Sequence, residues 1–307
     1  MASAIKRPFD TAFKQQRLKA WQPLMTPKTI ILTFLTTGVV FVIIGIVIIS
    51  VDKSIVEFEV SYPDCKIGDI CNVEYTTEDD MVPPIYFYYK ISGMYQNHRR
   101  YVKSRNDDQL RGKLTTSFKS CDPLEKNKDQ IIYPCGLIAA SVFNDKITAS
   151  VDGVTLEGDA WNKSNIIWPS DRDKFRTNSY YKGSGFTDMS ILDGRQVKLP
   201  SVEDEDLIVW MRTAGLPTFK KLYRIKQDKA SIKKGSKLKF TIENNYDVSK
   251  FEGVKSLVVS TTSFMGGKNP FLGWSYIAVA VLCLLFTAIL SAKLFLSPRS
   301  IIVPLNS

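Results

Sequence analysis

Two hydrophobic patterns of different period divide the chain. Thr29 to Val51 is 23 residues without a charge, TIILTFLTTGVVFVIIGIVIISV, and Phe271 to Ala292 is 22 more, FLGWSYIAVAVLCLLFTAILSA. At roughly 1.5 Å per helical residue each reaches about 33 Å, enough to cross a hydrocarbon core about 30 Å thick. Both runs therefore predict membrane-spanning helices. A signal peptide does not account for the first, because 28 residues precede it and the apolar run is too long. A buried core helix accounts poorly for the second, which has Trp274 and Tyr276 near one end and Lys293 beyond the other.

Between these runs the period falls to two. IVEFEVSY from Ile55, CNVEYTT from Cys71, IYFYYKI from Ile85, KLKFTIE from Lys237 and SLVVSTTSF from Ser256 are rich in β-branched and aromatic residues, and each predicts a strand. PP at Pro83, DG at Asp152 and Asp193, and NNYD at Asn244 separate them. Met94 to Pro134 and Trp161 to Val202 lack a clear period and predict long connections with short helical pieces. The expected fold is a β-sandwich with irregular insertions, stapled by two disulfides and carried on two membrane helices. The expected divisions are an arm at 1–28, a helix at 29–51, the β-rich segment at 52–270, a helix at 271–292 and a tail at 293–307. No internal repeat is visible.

Charge sets an orientation. Residues 1–28 hold Lys6, Arg7, Lys14, Arg17, Lys19 and Lys28 against Asp10, and the tail holds Lys293 and Arg299 with no acid. Basic flanks resist translocation, so both ends are expected in the cytosol and residues 52–270 on the lumenal or extracellular side. That segment has 33 basic and 30 acidic residues, a net +3 of the chain's +10. The basic balance thus owes much to an arm beside anionic lipid, and nucleic acid is an unnecessary explanation. Cys65, Cys71, Cys121 and Cys135 fall in the translocated segment, where an even set pairs; Cys283 lies within the second apolar run. Three pairings are possible, and the local one (Cys65 with Cys71, Cys121 with Cys135) encloses the shortest loops. The single sequon, NKS at Asn162, lies on the same side.

Candidate chemistry is thin. NDKITAS at Asn144 is similar to the DKTGT phosphorylation motif of P-type ATPases but fails at the Thr and Gly positions, and Asp145 would lie away from cytosolic ATP. No GxxxxGK[ST] or GxSxG string occurs. His98, the only histidine, reads as a solvated surface residue; with no CxxC spacing either, neither metal nor cofactor is expected. The acids Glu203 to Asp206 read as a solvated loop, and KKGSKLKF from Lys233 as a solvated sheet face. Small residues at Gly38 and Gly45 in the first helix, and at Ala288 and Ala292 in the second, offer faces where helices approach closely.

Four stretches together resemble one family: TAFKQQRLKAWQP at Thr11, YPCGLIAASVFND at Tyr133, VWMRTAGLPTFKKLYR at Val209 and STTSFMGGKNPFLG at Ser260. They are similar to the accessory beta subunits of phospholipid flippases, the cell division control protein 50 family that accompanies type IV P-type ATPases. The resemblance implies two membrane helices, an antiparallel sandwich ectodomain, the local disulfide pairing and no catalysis. It implies a heterodimer with a catalytic alpha subunit that moves phospholipid between leaflets, and a role in that subunit's folding, exit from the endoplasmic reticulum and transport cycle. In VWMRTAGLPTFKKLYR, Pro217 predicts a turn, after which Phe219, Leu222 and Tyr223 share one face of a short helix with Lys220, Lys221 and Arg224 outward. The expected partner contacts are Phe13, Leu18 and Trp21 in the arm, Gly266, Gly267 and Trp274 at the approach to the second helix, and Ala288 and Ala292 within it. A doubly anchored ectoenzyme and a two-span receptor for lipid ligands are the competing readings.

Overall fold

The computed structural model describes residues 9–18, 26–192 and 194–297. The chain divides into two compact units, one drawn from its two ends and one formed by Val51–Lys268.

The first unit is a pair of helices, α1 (Pro27–Lys53) and α3 (Pro270–Leu296). Each runs past its charge-free stretch, because helical hydrogen bonding continues into polar flanks; Pro270 opens α3 at a first-turn position where a missing N–H is harmless. Both are long and apolar enough to cross a membrane.

The second unit is a sandwich of two four-stranded antiparallel sheets. One contains β1 (Glu57–Ser61), β3 (Ile85–Ile91), β6 (Phe219–Lys226) and β8 (Lys255–Thr261), in the order β1-β8-β3-β6. The other contains β2 (Ile70–Thr76), β4 (Lys146–Val151), β5 (Val154–Thr155) and β7 (Lys237–Glu243), in the order β2-β7-β4-β5. Alternation fixes which side chains face inward. Ile85, Phe87, Tyr89 and Ile91 of β3 and Leu238, Phe240 and Ile242 of β7 enter one apolar cluster, where the Phe87 and Phe240 rings lie 6.3 Å apart. In register, Val259 of β8 stands between Phe58 of β1 and Phe87 of β3, so its sheet face is closed by neighbours on both sides.

The two aperiodic regions are long insertions with short helices, and they are stitched to each other. Ile131–Ile132 pairs in parallel with Phe186–Thr187, and a second small core of Phe118, Cys121, Ile132, Cys135, Tyr181 and Leu199 forms beneath. Cys65 is joined to Cys71 and Cys121 to Cys135, the local pairing.

Two local expectations are corrected. Phe219 to Arg224 forms strand β6, not a short helix: Phe219, Lys221 and Tyr223 are buried in alternation, which is period two. The acids at 203–206 open helix α2 (Glu205–Met211) instead of making a loop; the Asp204 carboxylate accepts from the Asp206 N–H at 2.9 Å, satisfying one of the helix's unpaired donors. KITAS, met only as a failed phosphorylation motif, belongs to strand β4.

Candidate functional site

The polar groups that most resembled chemistry are internal props. Asp145 is buried just before β4, and its carboxylate meets the Lys255 ammonium at 2.7 Å. It also accepts from the Tyr62 hydroxyl at 3.0 Å and from the Asn245 and Tyr246 N–H groups at 2.7 and 2.5 Å. Lys255 in turn donates to the Tyr246 carbonyl at 2.6 Å and to the Asn244 side chain. Burial pushes the Lys255 ammonium below its ordinary range and the Asp145 charge opposes that. With its acceptors engaged and no solvent access, Asp145 is no nucleophile; it pins the NNYD turn to both sheets. The same burial, with Asp145 beside it, pushes the Tyr62 hydroxyl far up.

Lys221 is the second prop, and the sequence reading had placed it outward. It projects from β6 to the end of α2, donating to the carbonyls of Val209 at 3.2 Å, Trp210 at 2.8 Å and Arg212 at 2.5 Å. A helix end leaves such carbonyls without partners, and a cation there also meets the negative end of the dipole. Burial, with the Arg212 guanidinium nearby, brings its ammonium down to about 7. The indole N–H of Trp210 donates to the Ile138 carbonyl at 2.9 Å, so α2 is tied at once to β6 and to the short helix Leu137–Ala140. The signal was available: FKKLYR places Lys221 at the spacing of the inward aromatics Phe219 and Tyr223.

The acids around α2 are paired rather than catalytic. Lys163 lies 2.8 Å from Asp204 and 2.9 Å from Asp206, Arg224 lies 2.8 Å from Asp206, and Arg172 lies 2.5 Å from Glu205. His98 is exposed and precedes the short helix Arg99–Lys103. Among the described residues no cluster of three or more His, Cys, Asp or Glu side chains has the makings of a metal site.

Asn162 is held by its backbone, which exchanges hydrogen bonds with Ile225 of β6 at 2.9 and 3.0 Å. Its side-chain oxygen accepts from the Ser164 N–H at 2.7 Å, while the amide nitrogen sits at the surface with Gln227 at 3.4 Å.

The helix pair carries the remaining candidates. Gly38 and Gly45 are buried against α3: a Cβ at Gly38 would stand 2.9 Å from Leu284, and one at Gly45 would stand 2.7 Å from Ile277. Gly273 returns the approach, with Ile49 at 2.6 Å from its own added Cβ. The Phe34 ring lies tilted 5.7 Å from Phe286 and Phe41 meets Tyr276 edge-on at 5.1 Å, and Cys283 is a buried free thiol in α3. The glycine face of α1 is thus consumed within the chain. Ala288 and Ala292 of α3 are exposed, as is Trp274. Gly266 has φ +104 and, like Gly267, open space around it. In the arm, Phe13 and Leu18 are exposed and the Lys14 ammonium lies 4.5 Å from the Phe9 ring. Trp21 lies outside the described residues.

A family model described as LEM3 (ligand-effect modulator 3) family / CDC50 family matches residues 48–300. ALA-interacting subunit 3 of Arabidopsis thaliana is 39% identical over 317 residues, which take in 96% of this chain and 88% of the relative. Cell cycle control protein 50A of Bos taurus is 38% identical over 319 residues, 93% of this chain and 88% of the relative. The phospholipid-transporting ATPase accessory subunit CRF1 of Saccharomyces cerevisiae is 30% identical over 360 residues, 97% of this chain and 88% of the relative.

Proposed function

Because the chain belongs to the LEM3/CDC50 family, we propose that it is the non-catalytic beta subunit of a phospholipid-translocating type IV P-type ATPase. Its partner is the catalytic alpha subunit, which flips phospholipid from the exoplasmic to the cytosolic leaflet; this chain serves that subunit's folding, exit from the endoplasmic reticulum and transport cycle. The observation that carries the reading is the match over 97% of the chain to a relative named as an accessory subunit of a phospholipid-transporting ATPase. The engagement of Asp145, Lys221 and the acids of α2 in internal contacts supports a structural rather than catalytic protein.

The chain is an integral membrane protein of the secretory pathway, with both termini in the cytosol and the β unit on the lumenal or extracellular side. Asn162, at the surface of that unit, carries a glycan. The face of α3 with Ala288 and Ala292 receives a helix of the ATPase, because small residues admit a close backbone approach where lipid gives no hydrophobic drive. Both alanines are exposed while the glycines of α1 are already occupied, which leaves this face open. The approach with Gly266, Gly267 and Trp274, and the arm with Phe13, Leu18 and Trp21, are further contacts.

The test is co-purification of the catalytic subunit with the full chain in mild detergent. The Ala288→Leu/Ala292→Leu variant should lower the yield by about tenfold, equivalent to about 1.4 kcal/mol of association, while the melting temperature of the β unit stays put. Undiminished yield sinks the contact face, and failure of the unaltered chain to bring down an ATPase sinks the function.

A further inference from the structure

We propose that the turn Ser263–Gly266 is a lipid anchor, with Phe264 and Met265 at its tip seated among the headgroups and first acyl carbons of the leaflet where α3 begins. The proposal rests on α3 spanning a bilayer and is independent of which ATPase the chain serves.

The turn's own construction is the first ground. Ser263 and Gly266 exchange both backbone hydrogen bonds, Ser263 N–H to Gly266 O at 2.9 Å and Gly266 N–H to Ser263 O at 3.0 Å, which closes a two-residue loop. The Ser263 hydroxyl oxygen also accepts from the Met265 N–H at 3.2 Å. Such tips normally carry Gly, Asn or Asp, small residues that suit water and tight backbone. Here the positive φ is taken by Gly266, at +104, so the tip is free to hold two large apolar side chains without strain. Phe264 is 85% exposed and Met265 43% exposed. A well-formed turn that displays a phenylalanine to water gains nothing for the core, and burying that ring elsewhere is favourable.

The covalent tether names what covers it. Six residues lead from Phe264 to Pro270, where α3 begins. At no more than about 3.5 Å per residue the ring stays within about 20 Å of the helix start. The 27 residues of α3 extend about 40 Å against a hydrocarbon core of about 30 Å, so its first turn lies at headgroup depth. Phe271 in that turn and Trp274 just after it are exposed, as an interfacial belt requires.

Charge makes the same choice. No Asp or Glu occurs from Gly253 to the end of the sequence, and Lys268, exposed between the tip and the helix, suits lipid phosphate. An apolar tip, a flanking cation and no acid describe a segment that lies on a membrane surface.

The experiment places an environment-sensitive fluorophore on the full chain in phosphatidylcholine nanodiscs, through Phe264→Cys in a Cys283→Ala background. Met265→Cys gives a second reporter of the same tip; both positions are partly or largely exposed, so neither change removes core packing. Controls are Val281→Cys, mid-helix and 48% exposed, and Leu114→Cys, 68% exposed on an insertion. Lipids with a nitroxide at a shallow acyl carbon should quench the tip labels at least about threefold more than the Leu114→Cys label, with matching protection from aqueous iodide, as for a segment buried some 5–10 Å into the boundary. The Val281→Cys label should respond to a deep nitroxide, which establishes the span separately. Tip labels open to iodide and untouched by lipid nitroxides would overturn the anchor. So would tip labels protected only when the ATPase is added, which would make the Phe264 and Met265 side chains, and not only the flanking glycines, a protein contact.

Discussion

Asp145 and Lys255 face each other with side chains 0% and 4% exposed, and at this depth a charge is tolerated only with its partner. Asp145→Asn leaves the ammonium without its counter-charge and should cost about 3–5 kcal/mol. Asp145→Leu/Lys255→Met removes both charges and should recover part of that loss, which thermal unfolding of the three proteins measures. A double variant no more stable than Asp145→Asn would refute the pairing as the source of the cost. Lys221 behaves differently, having no carboxylate. Lys221→Met strands three carbonyls at the end of α2 and should cost about 2–3 kcal/mol. Its folded value of about 7 lies below the unfolded lysine value, which is about 10.4. Between those values the unfolded chain binds more proton, so this group's contribution to stability rises with pH across the window and is lost as pH falls to about 7. The stability gap between the unaltered chain and Lys221→Met should therefore widen from pH 7 to pH 9. A gap that stays level over that range would mean that the carbonyls hold the ammonium charged despite its burial.

At the scale of elements, period and length were legible where packing agreed with them. IYFYYKI and KLKFTIE became β3 and β7 with the bounds their alternation drew, because each lies between two hydrogen-bonded neighbours and turns one face to the core. FKKLYR misled because Phe219, Leu222 and Tyr223 fit helical spacing as well as Phe219, Lys221 and Tyr223 fit a strand. The decision depended on Lys221 finding the carbonyls of α2, a tertiary contact made only once the chain has turned back at Pro217. The acids of α2 were unreadable for a similar reason: Lys163 and Arg172 arrive from the second insertion and Arg224 from β6. In the helix pair, Gly45 allows the approach, since an added Cβ would stand 2.7 Å from Ile277 and 3.3 Å from the Gly273 carbonyl. Gly45→Leu should force the helices apart. With Phe34→Cys and Phe286→Cys, at positions whose rings are 5.7 Å apart, cross-linking should fall by about half or more. Equal cross-linking with and without Gly45→Leu would show that the glycine is dispensable.

For the whole molecule, the proposed orientation makes two readings move together. On that orientation the six basic residues against one acid in residues 1–28 keep the arm in the cytosol, and the β unit is expected to meet the glycosylation machinery. Glycosidase should increase the mobility of the unaltered chain and leave Asn162→Gln unchanged, and tags at either terminus should be digested by protease only after permeabilisation of intact cells. A terminal tag cleaved without permeabilisation would reverse the orientation.

What the sequence settled by itself was whatever depends on local composition: two helices, because 23 and 22 charge-free residues have no other economical environment, and a β class for the segment between them, because alternation is a property of neighbours. The sequence left three disulfide pairings open, of which Cys65–Cys71 and Cys121–Cys135 enclosed the shortest loops, and the structure selects that one. Tertiary structure decided the order of strands, the parallel stitch between the two insertions and the assignment of buried charge. A lysine or aspartate is admitted to a core only where a partner stands ready, and although Lys221 and its carbonyls share one short stretch, only the fold turns the chain so that charge and partner meet.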